Sequence, residues 1–418
     1  MNVMTSTQSL THDHILVSKD NLATIVKDYP FAVRRALEFA LMLERGSLDV
    51  QMPDGRSLRF QGSEDGPDAQ MIVHDFDFAN ELAAGGEVGI AEAFLKGHWE
   101  SPNLTHFLEL FCVNQPVIQK LLDGKPLVRL FQRFLHWRNR NTKAGSRRNI
   151  HAHYDLGNQF YSAWLDGTMT YSSALFTDNA KNLAEAQRAK YAALARDIDL
   201  QPGHHVLEIG CGWGGFAEYA AGEIGARVTG LTISKEQFDF ATERMRKAGL
   251  SDRVEIKMQD YRDEKGVFDR IASIEMFEAV GEEYWPIYFS QLRDRLKDGG
   301  KAGLQVITIQ EELFSNYRRE IDFIRRYIFP GGMLPTPTIM RKMGDKHGLS
   351  LAQERVFGLD YAVTLSHWRD SFRKAWPQLT PMGFDEHFRR MWEYYLSYCE
   401  AGFRAGTIDV RQMTFAKS

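Results

Sequence analysis

From residue 180 onward the chain alternates helix and strand, which restricts this part of it to a mostly parallel sheet with helices on both faces. NLAEAQRAKYAALARDI reads as a helix and HHVLEIG as a strand. GGFAEYAAGEI, RVTGLTI, KEQFDFATERMRKAG and RVEIKMQD continue as helix, strand, helix and strand. FDRIASIE is a further strand, YWPIYFSQLRDRL a helix and AGLQVITI a strand. The expected class is α/β, a Rossmann-like sheet. No internal repeat or low-complexity tract interrupts it.

A chain of 418 residues is longer than one core usually serves. The N-terminal part reads differently from the rest. A helix in YPFAVRRALEFALML precedes short strands in GSLDVQMPDG, SLRFQG and AQMIVHDF, and FANELAAGGEVGIAEAFLKG returns to helix. This predicts a separate, smaller α+β domain over residues 1–132. Residues 133–149 form a basic linker carrying Arg133, Arg138, Arg140, Lys143, Arg147 and Arg148. It reads either as a solvated connection or as a segment that touches anionic lipid headgroups. The larger domain is expected over residues 150–418.

The strand HVLEIG runs into GCGWGG and then into a helix, a turn whose glycines let the backbone approach a ligand at a helix N-terminus. Gly210, Gly212 and Gly215 also satisfy the dinucleotide pattern G-x-G-x-x-G, so a nicotinamide cofactor and S-adenosylmethionine must both be weighed. Two features favour the second. Glu208 lies just before the glycines, where it suits a cationic methionyl end and repels a pyrophosphate. The next strand ends in Thr232, with Gln237 nearby, instead of the acidic residue that binds a dinucleotide ribose.

Further motifs occur in a fixed order: HYDLGNQFYSAWLDGTMTYSSALF at 153–176, VLEIGCGWGG, VTGLTISKEQ, QDYRD, FDRIASIEMFEAVG, YIFPGGMLP and FGLDYAVTLSHW. Over residues 150–418 the chain resembles the cyclopropane-fatty-acid synthase family, which includes the mycolic acid cyclopropane synthases and related fatty-acyl methyltransferases. The resemblance implies a class I S-adenosylmethionine methyltransferase domain with helical insertions, preceded by a lipid-associated domain. It places cofactor contacts at Tyr171 and Ser172 of a covering segment, Gly210 and Gly212 of the loop, and Thr232 and Gln237. Gln259, Asp260, Tyr261 and Arg262 lie where relatives hold the adenine.

The implied reaction adds a one-carbon unit to the double bond of an unsaturated phospholipid acyl chain, giving a cyclopropane. An alkene is a poor nucleophile, so the site must orient it in a dry environment. It must also stabilise a carbocation and remove a proton. The family is understood to use a bound bicarbonate as that base, held by Cys, Glu, His, a backbone group and Tyr. Those positions fall on Ser173, Glu278, Gln305, Ile307 and Tyr361. Ser and Gln can donate hydrogen bonds, but Gln cannot relay a proton as His can. The alternative is therefore a methylated or methylene-branched chain, or a methylated diene. Glu278, after the strand FDRIASIE, is the foremost catalytic candidate, and Glu275 ranks below it because it lies within the strand pattern.

The net charge of −4 excludes a generally basic nucleic-acid binder. Cys112, Cys211 and Cys399 match neither a zinc site nor a disulfide framework, so no metal is expected. No apolar run reaches transmembrane length, and the N-terminus has no secretory pattern. These features predict a cytoplasmic enzyme, peripheral on the inner membrane surface, with a homodimer left open. Arg318, Arg319, Arg325 and Arg326 alternate with aromatic and aliphatic residues, which predicts an amphipathic helix. That helix either packs on the core or covers the acyl site with its basic face toward phosphates.

Overall fold

The computed structural model describes residues 14–122, 156–177 and 180–417. The chain divides into two compact units, residues 1–124 and 125–418. The expected domain boundary and basic linker, and residues 153–155 of the covering motif, lie outside the described residues.

The first unit is a five-stranded sheet flanked by helices. Strands β1 (Ile15–Leu16), β2 (Arg45–Gln51), β3 (Ser57–Gln61), β4 (Glu64–Val73) and β5 (Trp99–Glu100) lie in the order β1-β3-β2-β4-β5. The predicted Pro-Asp-Gly turn joins β2 to β3, with Gly55 at φ 85° and its N–H donating to the Met52 carbonyl. Period-two alternation turns Leu48, Val50, Leu58 and Phe60 into the core. The predicted helix after β4, Asp77–Leu95, is broken at Gly86, where φ 58° and ψ −129° leave helical space.

The second unit carries a seven-stranded sheet with helices between its strands. Its strands are β6 (His205–Ile209), β7 (Arg227–Thr232), β8 (Val254–Met258), β9 (Phe268–Ile274), β10 (Leu296–Ile309), β11 (Leu349–Val356) and β12 (Ile408–Lys417). They lie in the order β11-β12-β10-β9-β6-β7-β8. The five from β10 to β8 run parallel, and β12 pairs antiparallel with both β10 and β11. The central strands are buried on both faces and read as apolar runs, Val206, Leu207 and Ile209 in β6 and Ile271 and Ala272 in β9.

Chain order and spatial order diverge at β6. The chain builds β7 and β8 on one side of it and returns to β9 on the other. Open sheets of this kind form a crevice at the carboxyl ends of the strands flanking such a switch point. The glycine loop follows β6, and Glu275 and Glu278 follow β9, so topology alone brings these motifs to one place.

The expected amphipathic helix across residues 315–329 does not form as one piece. A helix over Glu311–Tyr317 is followed by a separate wide turn at Ile324–Ile328. Arg325 is turned inward, 4.3 Å over the Tyr317 ring, and donates to the Tyr317 carbonyl, while Arg318 pairs with Glu282. The predicted basic face is therefore not presented whole.

Candidate active site

Left-handed turns shape the glycine loop. Gly210 has φ 80°, and the N–H groups of Gly210 and Cys211 donate to the Leu231 carbonyl on β7 at 3.0 and 2.9 Å. Gly214, at φ 81°, caps the helix Gly215–Tyr219, and a Cβ on Gly215 would lie 2.4 Å from the Tyr191 hydroxyl. Gly212 differs from both: at φ 51°, an added Cβ would meet nothing within 4 Å. Its surroundings are open, as a ligand cradle requires.

Glu208, just inside β6, is buried and receives the Ala217 N–H, while its Oε2 finds no partner among the described residues. Burial pushes this carboxyl up to about 8, against the pull of Arg244 and Lys190. An unpartnered carboxylate oxygen behind an open glycine turn fits a cationic ligand such as the methionyl end of S-adenosylmethionine.

The remaining predicted cofactor residues follow along the carboxyl edge. Thr232 donates to the Gln237 side chain at 2.9 Å, and Ser234 caps the helix Lys235–Lys247. The Gln259 N–H donates to the Thr232 carbonyl, and its side chain to Glu264. Asp260 is buried and accepts from the Arg262 N–H, Nε and Nη2 at 3.0, 2.8 and 2.6 Å, while Tyr261 packs edge-on to Tyr288. Over the loop, Trp213 Nε1 donates to Asn158 at 2.7 Å, and Arg244 holds the Thr168 carbonyl. These bonds strap residues 156–170 across the crevice.

The covering segment then turns inward. The Tyr171 hydroxyl meets that of Tyr395 at 2.7 Å, within a cluster of Tyr161, Trp164 and Trp368. Ser172 gives its carbonyl to Gln187 and its Oγ to the ammonium of Lys190. The Ser173 amide donates to Glu275 Oε1 at 2.8 Å, whereas its hydroxyl donates to the Ala174 carbonyl. The expected side-chain donor at Ser173 is therefore a backbone donor.

Glu275 is the hub of the site, which the sequence ranking did not anticipate. Gln305 Nε2 donates to its Oε1 at 2.7 Å, and the Tyr361 hydroxyl donates to its Oε2 at 2.6 Å. Gln412 fixes the Gln305 amide by donating to its oxygen, and Tyr361 stacks on Phe403. Burial raises the Glu275 carboxyl, while Tyr361, Lys190, Gln305 and Ser173 pull it back. Glu275 lies deep among protein atoms yet keeps partial accessibility, as a side chain lining an opening does. Its φ of 49° is left-handed, an uncommon conformation for a residue other than glycine. That twist takes the carboxylate out of the strand alternation and into the ring of donors.

Glu278 stands beside it. Its Oε1 accepts the Ile307 N–H, and its Oε2 has no partner among the described residues. Burial, with the neighbouring Glu275 charge, pushes it up to about 8. The donors expected to hold a bicarbonate thus all have protein acceptors: the Ser173 amide, Gln305 and Tyr361 on Glu275, and Ile307 on Glu278. These residues do not fit a bound bicarbonate.

A family model described as mycolic acid cyclopropane synthetase matches residues 141–413. The chain belongs to this family. It is 39% identical over 367 residues to the tuberculostearic acid methyltransferase UfaA1 of Mycobacterium tuberculosis, covering 85% of each chain. It is 36% identical over 361 residues to the cyclopropane-fatty-acyl-phospholipid synthase of Escherichia coli, covering 84% of this chain and 88% of that one. Among solved structures, mycolic acid cyclopropane synthase CmaA1 complexed with SAH and CTAB superposes with a TM-score of 0.61 at 31% identity, covering 65% of this chain and 98% of that one. This family member is an S-adenosylmethionine-dependent methyltransferase of lipid acyl chains.

Proposed function

We propose that this enzyme methylates the double bond of an unsaturated acyl chain carried by a phospholipid, and that its product is an open chain with a methyl or methylene branch. One observation carries the product: the Glu275 carboxylate occupies the Ser173, Gln305 and Tyr361 donors that would otherwise hold a small anion. A base built into the chain replaces a diffusible one. When bound, S-adenosylmethionine supplies a sulfonium methyl to an alkene carbon, the C–C bond forming as the C–S bond breaks and its electron pair stays on sulfur.

The residues of the site then have two tasks. The faces of Tyr171, Trp164 and Trp368 supply quadrupoles for the positive charge left on the chain. Glu275 accepts the proton. Loss from a chain carbon turns that C–H pair into a double bond beside the new methyl. If a hydride first shifts from the methylated carbon, loss from the new methyl gives a methylene. Ring closure instead requires loss from the new methyl before any shift. A carboxylate tethered covalently at the end of β9 and held by three hydrogen bonds has less freedom to follow the reacting carbon than a non-covalently bound ion. The cation then lives long enough for the open-chain routes.

The phospholipid assignment draws support from the name of the Escherichia coli relative. No described helix is long and apolar enough to cross a membrane; the reading has the enzyme meet its lipid at the bilayer surface. The test is incubation with S-adenosylmethionine and vesicles of mono-unsaturated phospholipid, then proton NMR of the released fatty acids. Vinylic and branched-methyl signals support the reading. Upfield ring protons would overturn the product, and the absence of any one-carbon mass gain would overturn the substrate.

A further inference from the structure

Lys190 lies in the helix Leu183–Asp197, yet the residue has no exposed area. A lysine is almost never fully buried without an acidic or polar partner. Its Nζ donates to Ser172 Oγ at 2.6 Å and stands 4.5 Å from the Tyr191 ring centroid. Its own carbonyl accepts from Gln412 Nε2, which also donates to Gln305. Ser172 is followed directly by Ser173, whose amide holds Glu275. The carbonyl between them is held by Gln187 from the same helix. One peptide group is thus clamped at both ends, with an ammonium on one flank and the Glu275 carboxylate on the other.

We propose that Lys190 is a positioning residue that keeps Glu275 ionised and holds the Ser172–Ser173 peptide against it. This rests on the assignment of Glu275 as the base. The charged groups facing Lys190 are Glu275 at the end of β9, Glu208 in β6 and Asp166 in the covering segment. Glu278 stands beside Glu275 with its own carboxyl pushed up to about 8, and Arg244 offsets Glu208. Burial lowers the ammonium to about 7, with Glu275, Asp166 and Glu208 opposing that shift. The same ammonium pulls down the burial-raised Glu275 carboxyl. The two groups therefore stabilise each other's charge in a region poor in water. Removing the cation takes away one of the groups that oppose burial, which favours the protonated form of Glu275, and a protonated carboxyl cannot accept a proton.

The test compares the pH profile of kcat for wild type, Lys190→Met and Lys190→Arg on unsaturated phospholipid vesicles. Binding of S-adenosylhomocysteine and thermal melting are measured alongside. The acid limb of Lys190→Met should move to higher pH, each unit of displacement lowering activity about tenfold at a fixed pH below the limb, with recovery at alkaline pH. Lys190→Arg, which keeps a cation, should restore the limb toward wild type. Should Lys190→Met fail to fold, Ser172→Ala removes only the hydroxyl that accepts the ammonium and should move the limb the same way by less. An unmoved limb in the folded variants, or equal displacement by Met and Arg, would overturn the proposal. Glu275→Gln separates the two levels. If that variant is inactive while the Lys190 variants keep the wild-type limb, only the role of Lys190 falls. If Glu275→Gln keeps full activity, the assignment of the base falls as well.

Discussion

Glu275→Gln removes one charge and almost no volume, and the geometry around it forecasts an intact fold with a disabled reaction. The Gln oxygen can still accept from the Ser173 amide and from Gln305 Nε2, which lie 2.8 and 2.7 Å from the present Oε1. The new NH2 would face the Tyr361 hydroxyl, now 2.6 Å from Oε2, and that hydroxyl can turn from donor to acceptor. Each polar heavy atom around the site therefore keeps a partner, so the fold should persist, while the buried Lys190 loses one of its counter-charges and the melting temperature falls modestly at most. Proton removal is what is lost. A positioned general base contributes roughly 10²–10⁴ in rate, or about 3–5 kcal/mol of barrier. The assay is kcat on mono-unsaturated phospholipid vesicles at saturating S-adenosylmethionine, with S-adenosylhomocysteine affinity measured by calorimetry. Unchanged affinity with kcat reduced in that range is expected. A kcat equal to wild type would refute the reasoning.

Three further changes probe the surrounding site. Gly212→Ala meets no protein atom but must adopt a left-handed φ, so it should cost roughly 1–2 kcal/mol of stability and sharply weaken S-adenosylhomocysteine binding; full affinity by calorimetry would place the cofactor elsewhere. Tyr361→Phe deletes a hydrogen bond to a charged group, worth about 1.5–3 kcal/mol, and lifts the Glu275 carboxyl further. Its kcat should fall and its acid limb should move to higher pH, and an unshifted limb would count against the Tyr361 contact. Glu278 is pushed up to about 8 from an ordinary 4.5, so the folded state retains a proton that the unfolded chain has released between those values. That stability is present at acid pH and lost as pH rises through the window. The melting temperature of Glu278→Gln should therefore gain on wild type between pH 6 and 8, and a constant difference would show that the shift is absent.

The parallel half of the sheet was legible because its strands are short apolar runs separated by helices of helical period, and the glycine turn marked the crevice directly. The antiparallel strand β12 was not legible: its residues IDVRQMTFAK carry five polar or charged side chains, two of which, Gln412 and Thr414, are buried, and Gln412 finds its partners only in tertiary structure. Glu278 and Tyr361 could be read from motif position, and both stand at the site. Period-two alternation assigns Glu275 to the strand, whereas β9 ends at Ile274 and a left-handed φ redirects the next side chain. The available signal was an ionisable residue one step past a strand end at the carboxyl edge of the sheet. Lys190 gave no such signal. A lysine in a helix reads as solvent-facing until the covering segment supplies its partner, Ser172.

The central claim is that a protein carboxylate, not a dissolved ion, removes the proton. Activity of the wild-type enzyme in buffer stripped of carbon dioxide, compared with the same buffer after adding bicarbonate, tests this most directly. The donors already bound to Glu275 and Glu278 predict equal kcat in both. A kcat that collapses on depletion and returns with bicarbonate would contradict the account.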